Sequence, residues 1–217
     1  MVAVPYRLMR NVMIAAGVLY CSLLLEIAAG FPLNVHYSFL SELGARDQPT
    51  SPYARAMDLG ASVLLLLAAI LGRPAARMNR EVAGLLISAA VFGAGTLFDS
   101  FSPMDCAPSA NPSCHDSGTA ALLHEITSTI AGVGSVVMGI FALLVLGRLG
   151  WGGPWSRVLA ASAAGVAVTQ AWLGIETGLE VFTGDLHPPG ILQRVSVLLT
   201  CLMLATALPG LRQAFLR

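Results

Sequence analysis

Hydrophobic positions along the chain fall into six long runs that are separated by short polar connections. Each run has about the 20 residues that an α-helix needs to cross a bilayer. The runs are rich in Ala, Leu and Gly and lack the alternation that a membrane-spanning β-strand shows. They therefore predict an all-α polytopic membrane protein, a bundle of six transmembrane helices in one domain over residues 1–217. The runs cover residues 11–31, 55–72, 81–98, 119–147, 156–176 and 191–210, and the outer loops cover about 32–54, 99–118 and 177–190.

Two of the runs need a further argument. The second, residues 55–72, is short, so we expect its ends to tilt or its flanking side chains to reach the interfaces. The first follows Arg7 and Arg10 and ends in small residues, which is also typical of a cleaved secretory signal. We expect it to be retained as the first membrane span.

The composition agrees with a protein whose solvent is lipid. Hydrophobic residues make up 56% of the chain, charged residues make up 11%, and the mean hydropathy is +0.75. There is no lysine, which excludes a Schiff-base cofactor of the retinal type. Phosphate-loop and dinucleotide fingerprints are missing, and the few residues outside the spans give nucleic-acid binding no support.

The charges predict the orientation. All twelve basic residues are arginines, and nine of them lie on the side of the two termini. Because positive charge favours the cytoplasmic side, we predict cytoplasmic termini for a multi-pass protein of the bacterial plasma (inner) membrane. Eleven of the twelve acidic residues lie towards the outer side, and Glu81 is the exception. These acids are either a solvated rim or part of a site.

Several ionisable residues lie inside the spans, near the predicted outer ends. Glu26, for example, is about five residues from the end of its run, or about 7 Å deep at the standard helical rise. Because an ionisable side chain facing lipid costs some kcal/mol, we expect these groups to face the bundle interior or a wet cavity. We predict an acidic outer-leaflet cavity lined by Glu26, Asp58, Asp99, Asp105, His124, Glu176 and Arg194.

Gln193 and Arg194 add hydrogen-bond donors from the sixth run. In one interpretation Arg194 pairs with Glu176, Glu180 or Asp58 and ties the outer helix ends together. In the other, its planar fork of donors binds the anionic head group or carboxylate of a substrate. The two roles are compatible.

His124 and Ser41 are the candidates for chemistry. His124 is either a satisfied histidine at a helix interface, an acid-base group with Asp105 or Asp99, or a ligand of a divalent metal. Ser41 would be a nucleophile only with a base in reach, and a cap or turn is its other role. No further cofactor is predicted.

Cysteines and small residues give two structural predictions. Cys106 and Cys114 lie eight residues apart on the oxidising side, which favours a disulfide, and a zinc site with His115 is the alternative. Cys21 and Cys201 lie within runs and are expected to pack. Small residues in GAGTLF, AGVGS and ASAAGVA predict close approach of helices.

Short motifs along nearly the whole chain resemble a known family. They are Ser41-Glu42-Leu43-Gly44, Phe98 with Pro103-Met104-Asp105, His124, and Gly190 before Gln193-Arg194. Together they resemble the bacterial six-span family catalogued as domain of unknown function 998, which implies the six-helix topology but no activity. The chain is more distantly similar to the eukaryotic six-span autophagy-modulator and GPI-lipid-remodelling group. A looser likeness is to the CREST membrane hydrolases, whose seven helices and HxxxH pair this chain does not share.

Three classes of function follow. The leading hypothesis is a protein whose outer-leaflet cavity binds, and as a hydrolase or acyl-transfer enzyme modifies, a membrane lipid or small amphiphile. A structural or accessory subunit is the second, with another membrane protein or a second copy as its partner. A proton- or cation-coupled transporter is the third, although the inner halves of the runs have almost no polar residue besides Gln170.

Overall fold

The fold is a set of long helices. The computed structural model describes residues 5–111, 113–114, 118–151, 153–183 and 189–216, with the backbone alone for 180–183 and 216. In these ranges no strand occurs, which confirms the all-α prediction. The α-helices are α1 (Tyr6–Tyr20), α2 (Ser22–Ala28), α3 (Ser51–Leu71), α4 (Arg73–Ala76), α5 (Arg80–Phe101), α6 (Thr119–Leu149), α7 (Pro154–Thr183), α8 (Gly190–Gly210) and α9 (Arg212–Leu216), and a 3₁₀ helix covers Leu40–Gly44.

Five helices, α3, α5, α6, α7 and α8, are long and apolar enough to cross a membrane. A bent pair, α1 with α2, makes a sixth span if the two are taken together. The chain is therefore a multi-pass membrane protein. The bend is 46° and lies at Cys21, whose backbone N–H bonds to the carbonyl of Val18 instead of continuing the helix. Hydropathy predicted the span but not the break, because neither Gly nor Pro stands at that position.

The six spans form a closed ring. Each packs on its neighbours in the chain and α8 packs on α1, so the order around the ring is α1, α3, α5, α6, α7, α8. The hydroxyl of Tyr6 donates to the carbonyl of Leu208 at 3.2 Å, which brings the first and last spans together where the chain begins and ends. We call this the terminal end. The opposite end, with the α2–α3 and α5–α6 connections, is called the polar end.

Apolar side chains fill the ring towards the terminal end. Leu65, Met138, Leu159, Met203 and Leu204 are fully buried in this core. Glycines bring the α5 and α6 backbones together: a Cβ on Gly95 would lie 2.6 Å from the Ala131 nitrogen, and one on Gly134 would lie 2.6 Å from the Phe92 nitrogen. The predicted close approach of helices at small residues is confirmed here.

At the polar end the α2–α3 connection folds onto the α5–α6 connection. The buried carboxylate of Glu42 accepts hydrogen bonds from the backbone N–H of Phe39 at 2.8 Å and of Ser109 at 3.0 Å. The predicted Cys106–Cys114 disulfide is present, with a Cα–Cα distance of 5.9 Å. His115 and residues 184–188 of the third predicted loop lie outside the described residues. Beneath the connections lies a small apolar cluster of Leu33, Leu40, Leu43, Ala45, Ala54 and Ala107.

Candidate functional site

A buried ion pair joins α8 to α2. The guanidinium of Arg194 donates through Nε to Glu26 Oε2 at 2.9 Å and through Nη2 to Glu26 Oε1. Glu26 has no exposed surface, and the side chain of Arg194 is 9% exposed. Two parallel hydrogen bonds between planar groups are the strong geometry for such a pair. The buried carboxylate of Glu26 is therefore fully paired with a guanidinium and is not an isolated buried charge.

The remaining donors of Arg194 hold the connection that follows α2. Nη1 lies within hydrogen-bond distance of the carbonyls of Val35 at 3.1 Å, Ser38 at 2.9 Å and Gly190 at 2.9 Å. Nη2 also donates to the Ser38 hydroxyl at 3.1 Å. The N–H groups of the guanidinium thus donate to acceptors within the protein. We call this group of Glu26, Ser38 and Arg194 the clasp.

The clasp corrects one sequence prediction. One interpretation of the sequence paired Arg194 with Glu176, Glu180 or Asp58, and its partner is Glu26 instead. Gln193 turns to the 3₁₀ helix, where its side-chain oxygen accepts from the Leu40 N–H. Glu176 accepts from Trp172 Nε1, one turn earlier on α7, at 2.7 Å. Hydropathy predicts the depth of these residues in the membrane. It does not predict which helices are neighbours, and the pairing depends on the neighbouring helix.

A second polar group lies on the opposite edge of the ring, between α5 and α6. His124 Nδ1 is 3.0 Å from Asp99 Oδ1, and the two side chains are 13% and 18% exposed. At that distance the two groups form an ion pair when the imidazole is protonated, and their geometry is not that of a well-aligned hydrogen bond. Of the two carboxylates predicted beside His124, the structure places Asp99 there.

Two hydroxyls that the sequence analysis missed share the same carboxylate. Thr127 Oγ1 is 2.7 Å and Ser128 Oγ is 2.9 Å from Asp99 Oδ1. Residues 124, 127 and 128 follow the i, i+3, i+4 spacing, so they lie on one face of α6. That spacing could have indicated the group from the sequence, because it places three polar residues on the same face of α6, where they contact the same neighbouring helix.

Asp58 on α3 and Tyr20 at the end of α1 complete this group. Asp58 is within range of electrostatic interaction with both Asp99 and His124, and Tyr20 with both carboxylates. The Tyr20 ring packs edge-on against Phe92 with 4.9 Å between centroids. Four helices therefore converge on what we call the acid-histidine group: Tyr20, Asp58, Asp99, His124, Thr127 and Ser128.

A protein-family profile described as "Protein of unknown function (DUF998)" matches residues 13–208, which include nearly all of the ring and both polar groups. The chain belongs to the DUF998 family. No curated protein and no solved structure matches it.

Two other candidate residues of this DUF998 chain lie apart from the acid-histidine group. Asp105 forms an exposed ion pair with Arg46 at 3.3 Å. Ser41 lies in the 3₁₀ helix, which packs on α2, α3 and α8, and its hydroxyl makes no hydrogen bond with a described residue. A serine nucleophile needs a base in hydrogen-bond reach, and none is placed there within the described ranges.

Metal-ligating side chains are also sparse around His124. Among the residues that the structure describes, no three His, Cys, Asp or Glu side chains converge closely enough to hold a metal ion. Structural and catalytic zinc sites draw three or four ligands from the protein. The described residues of the acid-histidine group thus offer His124 beside Asp99 but no third ligand for a divalent ion.

Proposed function

We propose that the ring interior at the polar end holds a pocket for the head of a lipid or another amphiphile, and that His124 and Asp99 move a proton on the bound molecule. The observation that carries this proposal is the position and the partial burial of Asp58. Asp58 is half-buried on α3 and within range of electrostatic interaction with both Asp99 and His124. Tyr20 is half-buried in the same way, and polar side chains that are only partly covered at this depth support a polar space between the helices.

The partial exposure of His124 and Asp99 supports the same pocket, since Glu26 in the clasp has none. Polar side chains at this depth are costly when they face acyl chains, and a wet or ligand-filled space removes that cost. An amphiphile suits the location because its tail can stay among the exposed apolar side chains of the ring while its head enters the pocket.

Proton transfer is the chemistry that the pair favours. An imidazole changes charge near neutral pH, and a carboxylate beside one ring nitrogen orients the ring and stabilises the imidazolium that forms when a proton arrives. Thr127 and Ser128 hold that carboxylate in turn. Hydrogen bonds between catalytic groups are often poorly aligned without ligand and tighten when it binds, which fits the geometry at Nδ1.

The apolar core at the terminal end favours a pocket that opens to one side of the membrane over a transport path through the ring. Phe92, Met138 and Met203 fill the described interior below the acid-histidine group, and a path for protons or cations would need polar groups there. A role as an accessory subunit or a homo-oligomer stays a prediction.

We further propose that the polar end faces the outside of a bacterial plasma membrane. The arginine distribution supports cytoplasmic termini. The disulfide at the polar end supports an oxidising compartment on that side.

The test is to identify what the purified protein carries. Protein from native membranes is washed in mild detergent and extracted, and its lipids are quantified by mass spectrometry. Wild type is compared with His124→Ala and Asp99→Asn, and with Glu81→Gln, which disrupts the Arg148 ion pair at the terminal end.

We expect one lipid class at about one molecule per chain in the wild type and in Glu81→Gln. Retention should fall by about tenfold in Asp99→Asn, the effect of losing about 1.4 kcal/mol of binding free energy. An identical lipid profile in all four proteins, matching the bulk membrane, would refute the pocket.

A further inference from the structure

Ser196 on α8 has a buried hydroxyl with no hydrogen-bond partner among the described residues. Its side chain has no exposed surface. The other buried serine and threonine hydroxyls of the described spans have partners, usually a carbonyl three or four residues earlier. Thr200, one turn away, donates in this way to the Ser196 carbonyl at 2.9 Å. Leaving a buried hydroxyl without a partner is unfavourable, so its partner is expected to be a molecule other than the chain.

Ser196 lies on the face of α8 that is turned to the ring interior. A Cβ on Gly139 of α6 would lie 3.4 Å from Met203 Sδ, so that face of α8 looks across the interior. Ser196 is seven residues before Met203, which is two turns on the same face and about 10 Å nearer the polar end. The opposite face of α8 carries Arg194 and Cys201, which turn to α2 and α1.

Ser196 lies about one helical turn deeper than the acid-histidine group. Seven residues before Gly139 on α6 is Gly132, where a Cβ would lie 3.5 Å from the Gln170 side-chain oxygen of α7. Ser128, which is 2.9 Å from Asp99, is one turn nearer the polar end on α6. Ser196 and Asp99 therefore lie within about one turn of each other in depth, on helices at opposite sides of the ring.

Among the described residues around this interior, carboxyl groups outnumber basic groups. Asp58 and Asp99 stand against the single imidazole of His124. Arg194 is held by Glu26, and Arg55 Nε donates to the Ser100 carbonyl at 2.9 Å. No described arginine lies within ion-pair distance of Asp58 or Asp99. A positive charge is therefore what this interior would stabilise.

We propose that the bound head group carries a primary ammonium. Asp58 and Asp99 bind the ammonium, and the Ser196 hydroxyl bonds to the same head group from the α8 side. A primary ammonium offers three donors and no acceptor, which suits carboxylates and a hydroxyl oxygen. This inference rests on the pocket described under the proposed function and names the class of its ligand.

The test uses dodecylamine as the probe, and the thermal unfolding midpoint of the detergent-solubilised full chain is the measurement. Dodecyltrimethylammonium has the charge without N–H donors, dodecanol has neither charge nor ammonium, and dodecanoate has the opposite charge. The variants are Ser196→Ala, Asp99→Asn and, as matched control, Ser162→Ala, whose buried hydroxyl on α7 bonds to the Leu159 carbonyl.

Dodecylamine should raise the midpoint of the wild type and of Ser162→Ala, and the other three probes should raise it less. Ser196→Ala without probe should unfold at or above the wild-type midpoint, because no hydrogen bond within the described chain is lost. Its affinity for dodecylamine should be at least about fivefold weaker.

Three results overturn the inference. If dodecanoate or dodecanol stabilises the protein as much as dodecylamine does, and Asp99→Asn abolishes the effect, the pocket stands and the ammonium is wrong. If Ser196→Ala binds dodecylamine as the wild type does, Ser196 has no part in binding. If no probe shifts the midpoint and no lipid is retained in the extraction experiment, both proposals fail.

Discussion

Arg194 and Glu26 lie 168 residues apart and meet in a doubly hydrogen-bonded, buried pair. The pair connects the last membrane span to the bend in the first. Because Arg194 also bonds to the carbonyls of Val35 and Ser38, the same guanidinium fixes the path of the α2–α3 connection. The clasp thus closes the ring at the polar end.

Removing one partner of the clasp should destabilise the protein strongly. Arg194→Ala leaves the Glu26 carboxylate buried without its partner, which typically costs about 3–5 kcal/mol. The free energy of unfolding in detergent, followed by circular dichroism, is the measurement. The control is Arg148→Ala, since Arg148 pairs with Glu81 at 3.0 Å with most of its own side chain exposed, and about 1 kcal/mol or less is expected. Equal losses in the two variants would contradict the clasp.

Glycines at the α5–α6 contact should resist substitution. In Gly95→Ala the new Cβ would meet the Ala131 backbone, so the helices must separate, at about 1–3 kcal/mol. Gly174→Ala on α7 is the matched control, because a Cβ there meets nothing within 4 Å and alanine is the better helix former. The thermal midpoint should fall in the first variant and hold or rise in the second. A stable Gly95→Ala would mean that the two helices are further apart.

Thiol labelling should detect two of the four cysteines. In protein denatured without reductant, a maleimide should label Cys21 and Cys201 and leave Cys106 and Cys114 blocked in their disulfide. After reduction all four should react. Mass spectrometry counts the adducts, and four adducts before reduction would show that the disulfide does not form.

Glu42→Gln should loosen the connections at the polar end. The Glu42 carboxylate joins the 3₁₀ helix to Ser109, and an amide keeps one acceptor oxygen, so one of the two backbone N–H groups now faces an N–H₂ donor. Each hydrogen bond to a charged group contributes about 1.5–3 kcal/mol. Limited proteolysis should cut the α5–α6 connection faster than in wild type. Arg46→Gln, which removes an exposed ion pair with Asp105, is the control and should be cleaved at the wild-type rate.

The spans were predictable because each apolar run has the length that a bilayer demands, whatever its neighbours are. The break at Cys21 was not, because it depends on how α1 packs and no residue type marks it. His124 and Asp99 could be placed together since consecutive antiparallel spans bring their adjoining ends together. Glu26 and Arg194 could not, because their pairing depends on α8 closing the ring against α1. Ser196 resembles any other helical serine in the sequence, and only its missing partner distinguishes it.

The pocket is tested most directly by the reactivity of a cysteine at position 58. In a chain with Cys21→Ser and Cys201→Ser, Asp58→Cys is compared with Leu65→Cys, two turns along the same face of α3 and fully buried. A membrane-impermeant, cationic methanethiosulfonate is applied to right-side-out and inverted vesicles. We predict modification of Asp58→Cys from the polar end alone and no reaction of Leu65→Cys. An Asp58→Cys that is inert from both sides, or no faster than Leu65→Cys, would contradict an accessible pocket at the polar end.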